Sequence, residues 1–259
     1  MSGALDLFRL DERVAVVTGG SKGIGMFYSQ ALAEAGANVV VADIDPQSVA
    51  ETSERLSKEH EGRILAADLD VTSRQSIRAM LHQIDQRWGR LDILVHNAAL
   101  FSAIPRRESP WDIPDDEFDR VMLVNVRAIY RCTAECLPLM QRHHWGRVIN
   151  ISSGLAFKGS AGLMHYAASK GAVVNLTRSM AAALGDTGIT VNSIAPGSTA
   201  SPTLRAVQPN AGVEAVQRRL IKRLEVPDDL VGTLLYLASP ASDFLTGQTI
   251  VVNGGDYLH

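Results

Sequence analysis

Short runs rich in Val, Ile and Ala recur along this chain, each followed by a longer stretch with helical spacing. The runs RVAVVTG (13–19), ANVVVADID (37–45), 63–70, LDILVHNAA (91–99), GRVINISS (146–153), GITVNSIAPG (188–197) and 248–252 read as strands. Helical patterns cover 24–35, closed by Gly36 as a C-cap, then 46 to about 60, and 73–88, opened by Ser73 as an N-cap. A long helix is expected over about 115–142, another around residues 166–170 that ends near 184, and a last one over 228–238. The strands are apolar on both faces, so both faces must be covered. The pattern predicts an α/β fold with a parallel sheet flanked by helices on both sides.

The 259 residues suffice for one large α/β domain or two small ones. There is no linker, composition break or short fixed-period repeat, so a single domain over 1–259 is expected, with a flexible start over about 1–10. A Pro-rich loop occupies 104–114. Residues 198–213, rich in Ser, Pro, Thr, Ala and Gly, are expected to form a substrate loop with a helical piece, long enough to act as a lid.

Hydrophobic residues make up 46% and charged residues 20%, as in an ordinary globular protein. A net charge of −3 speaks against a general binder of nucleic acid or membrane surface, since both carry a basic excess. The N-terminal stretch lacks the apolar segment of a signal peptide, and no run approaches the roughly 18 apolar residues of a membrane span. A cytoplasmic location is the expectation. Cys132 and Cys136 read as two buried small hydrophobes. No His, Cys, Asp or Glu cluster has metal-ligand spacing, so no metal is expected.

The first strand runs into TGGSKGIG (18–25). Its spacing is Gly19-x3-Gly23-x-Gly25, not G-x-G-x-x-G, yet it sits between a first strand and a helix start, where a dinucleotide loop belongs. Glycines let backbone approach a pyrophosphate, and the helix N-terminus offers free N–H groups and a favourable dipole. The other reading of the loop is tight packing alone. Asp43 lies 18 residues after Gly25, at the end of the second strand. A carboxylate there accepts both hydroxyl protons of an adenosine ribose and repels a 2′-phosphate, which favours NAD over NADP. Lys22 is a counter-signal, because a cation in the loop can pair with that phosphate. Asp43 can alternatively cap the following helix, and Asp45 reads as solvated.

One pair stands out later in the chain. Tyr166 and Lys170, in YAASK, are four residues apart, and on a helix such positions share a face. That spacing can hold an ammonium beside a phenol. It can also arise by chance.

Taken together, TGGSKGIG, HNAA (96–99), Asn125, NISS (150–153), YAASK (166–170), APG (195–197) and FLTGQTIVVNGG (244–255) resemble the short-chain dehydrogenase/reductase family in its single-domain form. The likeness covers nearly the whole chain, with several independent signals in one order. It implies a Rossmann-type doubly wound sheet, a nicotinamide dinucleotide, and Ser153, Tyr166, Lys170 and Asn125 as the catalytic set. Hydride transfer from a carbinol carbon needs a group to take the hydroxyl proton. A free Tyr, with a pKa of about 10, is a poor base at neutral pH, and a nearby ammonium lowers that value. Lys170 is placed to do this, and by the resemblance it also holds the nicotinamide ribose. Ser153, 13 residues before Tyr166, can hydrogen-bond the substrate oxygen; Ser152 competes, and the family's spacing picks Ser153. Asn125 matches the Asn that maintains a water-linked proton path to the lysine.

The resemblance also implies the cofactor contacts. They are Gly19, Ser21, Lys22, Gly23, Ile24 and Gly25 in the loop, and Asp43 and Ile44 after the second strand. Asp70 and Val71 match the pair at the adenine. Asn97 matches the Asn whose backbone abuts the adenosine ribose, with Ala98 beside it. Pro196 and Gly197 begin the loop that approaches the nicotinamide, with the Thr199 backbone as a partner for its carboxamide. Two departures stand out: His96-Asn97-Ala98-Ala99 replaces N-N-A-G, and Asn253 replaces the usual Asp. Neither touches the proton relay. His96 is expected to pack at its strand end.

Substrate-facing residues are expected near Tyr166, with Phe101, Leu155 and His165 as the main candidates, joined by Phe157, Met164 and residues 198–207. His165 either binds a polar substrate or faces a neighbouring subunit. The opening LFRLDERVAVVTGG is similar to gluconate 5-dehydrogenase-type members. The expected activity is NAD-linked interconversion of a secondary alcohol and a ketone on a small polar molecule, a polyol or sugar acid. One rival is an NADPH-dependent reductase of 3-oxoacyl thioesters, for which Arg127 and Arg131 are the candidate docking pair for an acidic carrier. A rival of another class is a non-catalytic NAD-binding module used for regulation or assembly. The resemblance also implies a homotetramer built through the long helices.

Overall fold

The computed structural model describes residues 3–101, 104, 105, 109, 111–207, 209, 210 and 212–258. Met1 and Ser2, residues 106–108 and 110 of the Pro-rich loop, and residues 208 and 211 of the expected substrate loop lie outside them. In chain order the elements are β1 (Val14–Thr18), α1 (Gly23–Glu34), β2 (Asn38–Asp43), α2 (Pro46–Glu59), β3 (Ile64–Asp68), α3 (Arg74–Trp88) and β4 (Ile93–His96). Next come α4 (Asp115–Met122), a π turn (Leu123–Arg127), α5 (Ala128–Met140), β5 (Gly146–Ile151), α6 (Leu155–Lys158), α7 (Met164–Leu184) and β6 (Ile189–Pro196). The chain closes with α8 (Pro202–Val207), α9 (Val213–Arg218), α10 (Asp228–Ala238) and β7 (Thr249–Val252).

The seven strands form one parallel sheet in the order β3-β2-β1-β4-β5-β6-β7. Alternation along each strand divides the core in two. Val16, Val40, Leu94, Val148 and Val191 point to the face covered by α3, α5 and α7. Ala15, Val17, Val39, Val41, Ile93, Val95 and Ile149 point to the face covered by α1 and α10. This is the doubly wound α/β sheet expected from strands apolar on both sides. Residues 3–10 carry a 3-10 turn at Ala4–Phe8, and Leu10 is fully buried. Cys132 and Cys136 are buried free thiols on the inner face of α5.

The order in which strands are added across the sheet reverses between β1 and β4, which lie side by side at its middle. In such sheets the crevice beyond the carboxyl ends of these strands is where a ligand fits. The long helix expected over 115–142 is interrupted at the π turn, which is centred on the fully buried Asn125. A π turn inserts one residue into an α-helix, and such turns favour functional sites.

Candidate functional site

A cleft of about 1160 Å³ opens at the carboxyl ends of the strands. Its first wall is the loop between β1 and α1. Gly19 and Gly23 have φ of +62° and +56°, a backbone that L side chains rarely adopt. A Cβ on Gly25 would sit 2.0 Å from the Gly19 carbonyl oxygen, so Gly25 lets helix and loop pack against each other. No side chain caps the N-terminus of α1. Its first-turn N–H groups are the positive end of a helix dipole at the cleft.

Asp43, the last residue of β2, lines the cleft. Its Oδ2 accepts hydrogen bonds from the Ser21 hydroxyl at 2.7 Å and the Ser21 backbone N–H at 3.3 Å, and its Oδ1 accepts from the Ile44 N–H at 2.8 Å. The cap of α2 is Asp45, which accepts from the N–H groups of Gln47 and Ser48. Pro46 at the first helical position sets this choice, because it places the cap one residue earlier. Asp45, solvated as expected with its side chain 41% exposed, is therefore also the cap, and Asp43 is free of that duty. Asp45 also pairs with the Lys22 ammonium, so the loop's cation is held by a carboxylate. That pair raises the Lys22 pKa, chiefly through the hydrogen bond.

Lys22, Ile24, Ile44, Asp70, Val71, Asn97 and Ala98 also line this end of the cleft. Asp70 Oδ1 accepts from the Thr72 backbone and hydroxyl at 2.8 and 2.7 Å, which shapes the turn after β3. Asn97 Nδ2 donates to the carbonyls of Thr18 and Gly19 at 3.2 and 2.9 Å, tying β4 to the glycine loop. Ser21 and Gly25 lie beneath the loop and do not line the cleft. His96 is buried, its Nε2 is 2.8 Å from the Thr133 hydroxyl, and burial pushes its pKa down to about 3.

The middle of the cleft brings together Ser153, Tyr166 and Lys170. Ser153 follows β5, and the other two share one face of α7. The Ser153 hydroxyl accepts from the Leu155 N–H at 3.2 Å and acts on the neighbouring Tyr166 phenol. Ser152 instead spends its hydroxyl on the Lys170 carbonyl at 2.9 Å. Lys170 Nζ donates to the Ile151 carbonyl at 2.7 Å and lies 5.7 Å from the Tyr166 ring centroid. Burial pushes the Lys170 pKa down to about 8. Burial also pushes the phenol up to about 12, although the Ser153 hydroxyl acts to lower it. The lysine was expected to lower the phenol; here desolvation outweighs any such effect. The Phe101 ring packs on Tyr166 with centroids 4.8 Å apart, and Phe101 and Leu155 both line the cleft.

Two candidates lie elsewhere. Asn125 is fully buried and does not line the cleft. Its Oδ1 accepts from the Leu100 N–H at 2.8 Å, and its Nδ2 donates to the Leu100 carbonyl and the Ser169 hydroxyl at 3.2 and 3.1 Å. It therefore joins the segment after β4 to the residue before Lys170. His165 is 1% exposed and does not line the cleft; its Nε2 is 3.1 Å from Glu117 Oε1 on α4. Successive helical residues point about 100° apart, so a side chain next to Tyr166 faces elsewhere.

Pro196, Gly197 and Thr199 form the far wall. Sequence reasoning missed what holds them. Glu225 Oε1 accepts from the Gly197 N–H at 3.0 Å and the Thr199 hydroxyl at 2.7 Å. Arg219 Nη2 donates to Glu225 and to the Ser198 carbonyl. Burial raises the Glu225 pKa. The outer end of the cleft is lined by Lys158, Arg218, Asp256 and Tyr257, which no sequence signal marked. Residues 198–213, expected as a loop with a helical piece, hold the short helix α8 and the start of α9.

These features fit a nicotinamide dinucleotide: an uncapped helix end beside left-handed glycines, a carboxylate after β2, and a polar triad at the other end. Among the described residues, no group of three or more His, Cys, Asp or Glu side chains could hold a metal ion, and no helix is long and apolar enough to cross a membrane.

Comparison with known proteins gives the same answer. A family model described as enoyl-(acyl carrier protein) reductase matches residues 19–256. The 3-oxoacyl-(acyl-carrier-protein) reductase of Vibrio harveyi is 34% identical over 249 residues, covering 96% of this chain and 99% of that protein. Galactitol 2-dehydrogenase of Agrobacterium fabrum (strain C58 / ATCC 33970) is 33% identical over 262 residues, covering 96% and 99%. The crystal structure of a gluconate 5-dehydrogenase from Burkholderia cenocepacia J2315, in complex with NADP and tartrate, superposes with a TM-score of 0.88 at 34% identity, covering 98% of each chain.

Proposed function

The chain belongs to the short-chain dehydrogenase/reductase family, an NAD(P)-dependent oxidoreductase, and from that we propose that it interconverts a secondary alcohol and a ketone on a small polar substrate, with NAD as the preferred cofactor. The observation that carries the reading is the meeting of Ser153, Tyr166 and Lys170 in the cleft that Asp43 also lines.

The dinucleotide would lie along the glycine loop with its adenosine ribose at Asp43 and its nicotinamide ring against residues 196–199. The nicotinamide supplies the hydride acceptor or donor. Ser153 hydrogen-bonds the substrate oxygen and orients it toward Tyr166. Tyr166 takes the hydroxyl proton in oxidation and returns it in reduction. With its pKa pushed up to about 12, the phenol rests protonated at neutral pH, ready to donate in reduction, while oxidation runs through the fraction that has lost its proton and therefore speeds up as pH rises. Lys170, at about 8, keeps most of its charge there and holds the relay's far end. Asn125 fixes Ser169 and, through it, the turn of α7 that carries Lys170.

NAD is favoured because the Asp43 carboxylate lines the cleft at the end of β2 and caps no helix, while the loop's cation Lys22 is engaged by Asp45. A polyol or sugar acid is favoured by the polar outer cleft and by the likeness to the galactitol and gluconate dehydrogenases. The competing reading is reduction of 3-oxoacyl thioesters, favoured by the Vibrio harveyi relative. An absorbance assay at the reduced-nicotinamide band tests the choice, with NAD and NADP each set against polyols, sugar acids, hydroxy acids and a 3-oxoacyl thioester. Turnover of a polyol or sugar acid with NAD is expected. A strong preference for NADP overturns the reading of Asp43, and turnover of the thioester alone overturns the substrate class.

A further inference from the structure

The cleft is also lined by a charged cluster that the proposed relay does not use. Lys158 closes α6, five residues after Ser153, and Arg218 closes α9. Asp256 comes from the turn after β7. All three line the cleft. The Asp256 side chain is 2% exposed; it accepts from the Lys158 ammonium on Oδ2 and from Arg218 Nε on Oδ1 at 2.9 Å. Burial acts to raise its pKa, but the hydrogen bonds from Lys158 and Arg218 prevail and hold it below the usual range.

The cluster adjoins the reacting end. A Cβ on Gly154, next to Ser153, would lie 3.1 Å from Tyr257 Cε1 and 3.4 Å from its phenolic oxygen. Tyr257 follows Asp256 directly and stacks on Phe157 with centroids 6.0 Å apart. One aromatic ring therefore separates the charged cluster from the Ser153 segment.

A carboxylate taken out of water is costly unless something requires it. Here it fixes two cations that remain open to the cleft. Arg218 spends only Nε on Asp256, and among the described residues nothing takes its two Nη groups. A guanidinium held by one edge presents the rest of its planar fork, which matches a carboxylate. Two cations against one buried carboxylate leave a single positive charge. Arg120 and Glu214, exposed elsewhere on the lining, carry opposite charges.

We propose that Arg218 and Lys158, braced by Asp256, form an anion subsite for the carboxylate of the substrate, so that the preferred substrate is a hydroxy acid or its oxo acid. The inference rests on the reading that the alcohol carbon lies at Ser153 and Tyr166. It makes Arg218 and Lys158 specificity residues. Asp256 is a positioning residue that keeps the fork aimed.

Calorimetric titration of the enzyme–NADH complex tests this without requiring turnover, with D-gluconate as the probe and D-sorbitol as its neutral counterpart. Gluconate should bind about tenfold or more tightly than sorbitol, and its affinity should fall as NaCl rises from about 50 to about 500 mM. Arg218→Gln should weaken gluconate about tenfold, and Arg218→Lys should restore part of the loss. Lys158→Gln should weaken it severalfold, and should do so even if the Arg218 variants prove unstable. Equal binding of the two probes to the wild type, absence of gluconate binding, or gluconate affinity unchanged in Arg218→Gln and Lys158→Gln overturns the subsite. Turnover of a neutral alcohol without selective gluconate binding removes the subsite and keeps the dehydrogenase. Selective binding with no alcohol turned over does the reverse.

Discussion

Arg219 Nη2 donates to Glu225 Oε2 at 3.1 Å, with the two side chains 1% and 5% exposed. The other carboxylate oxygen of Glu225 carries the Gly197 N–H and the Thr199 hydroxyl. One buried ion pair thus anchors the strand end that walls the cleft. Glu225→Ala would leave the Arg219 charge uncompensated, which costs about 3–5 kcal/mol. Urea unfolding should show that loss. The double variant Arg219→Met/Glu225→Leu should lose less than Glu225→Ala, because it removes both buried charges.

Tyr166→Phe keeps the ring that packs on Phe101 and removes only the phenolic oxygen. Turnover should fall about 10²- to 10⁴-fold, the range for loss of a positioned acid or base. Affinity for the dinucleotide, read by fluorescence titration with NADH, should stay within about threefold of wild type. Turnover close to wild type would remove Tyr166 from the relay.

Asp43→Ala should reduce the preference for NAD over NADP in kcat/KM by about 10- to 100-fold, the value of one or two hydrogen bonds to a charged group. Steady-state kinetics with both cofactors checks it. A ratio that does not move would assign Asp43 to holding Ser21 alone.

His96 gives a pH signature. Burial holds it neutral, with a pKa near 3 in the folded protein against 6.5 as its ordinary value. Between those values the unfolded chain binds a proton that the folded chain does not, so stability falls as pH drops below 6.5. At pH 5 the loss is about 2 kcal/mol relative to pH 7. His96→Asn cannot titrate, so its stability deficit against wild type should shrink by about that amount between pH 7 and pH 5. Urea unfolding at the two pH values measures it.

The sheet was legible because its strands are apolar on both faces, and that demand acts locally on each run. The glycine loop and the pairing of Tyr166 with Lys170 were legible for the same reason, since loop and helix geometry follow from short spacings. The cap on α2 was within reach too: Pro46 at the first helical position marks Asp45, and that leaves Asp43 to the cleft. Of the two readings of His165, the one that puts it at the substrate does not follow from its place beside Tyr166, because nearness in sequence is not nearness in direction on a helix. Two features had no local signal. Glu225 meets Gly197 across 28 residues, and Lys158 meets Asp256 across 98. Such contacts depend on how separate loops descend onto one cleft, which no window of the sequence records.

The surplus residue in the π turn at Leu123–Arg127 acts as a phase shift between two lengths of one rod. Deleting one residue there would let the rod close in regular α-turns, and the backbone would gain by it. Every side chain downstream would then wheel by about 100°. Ile129, Cys132 and Cys136 would turn off the sheet, and Asn125 would lose its grip on Leu100 and Ser169. A better helix would make a worse protein, so this flaw in local regularity is what keeps the long rod in step with its surroundings.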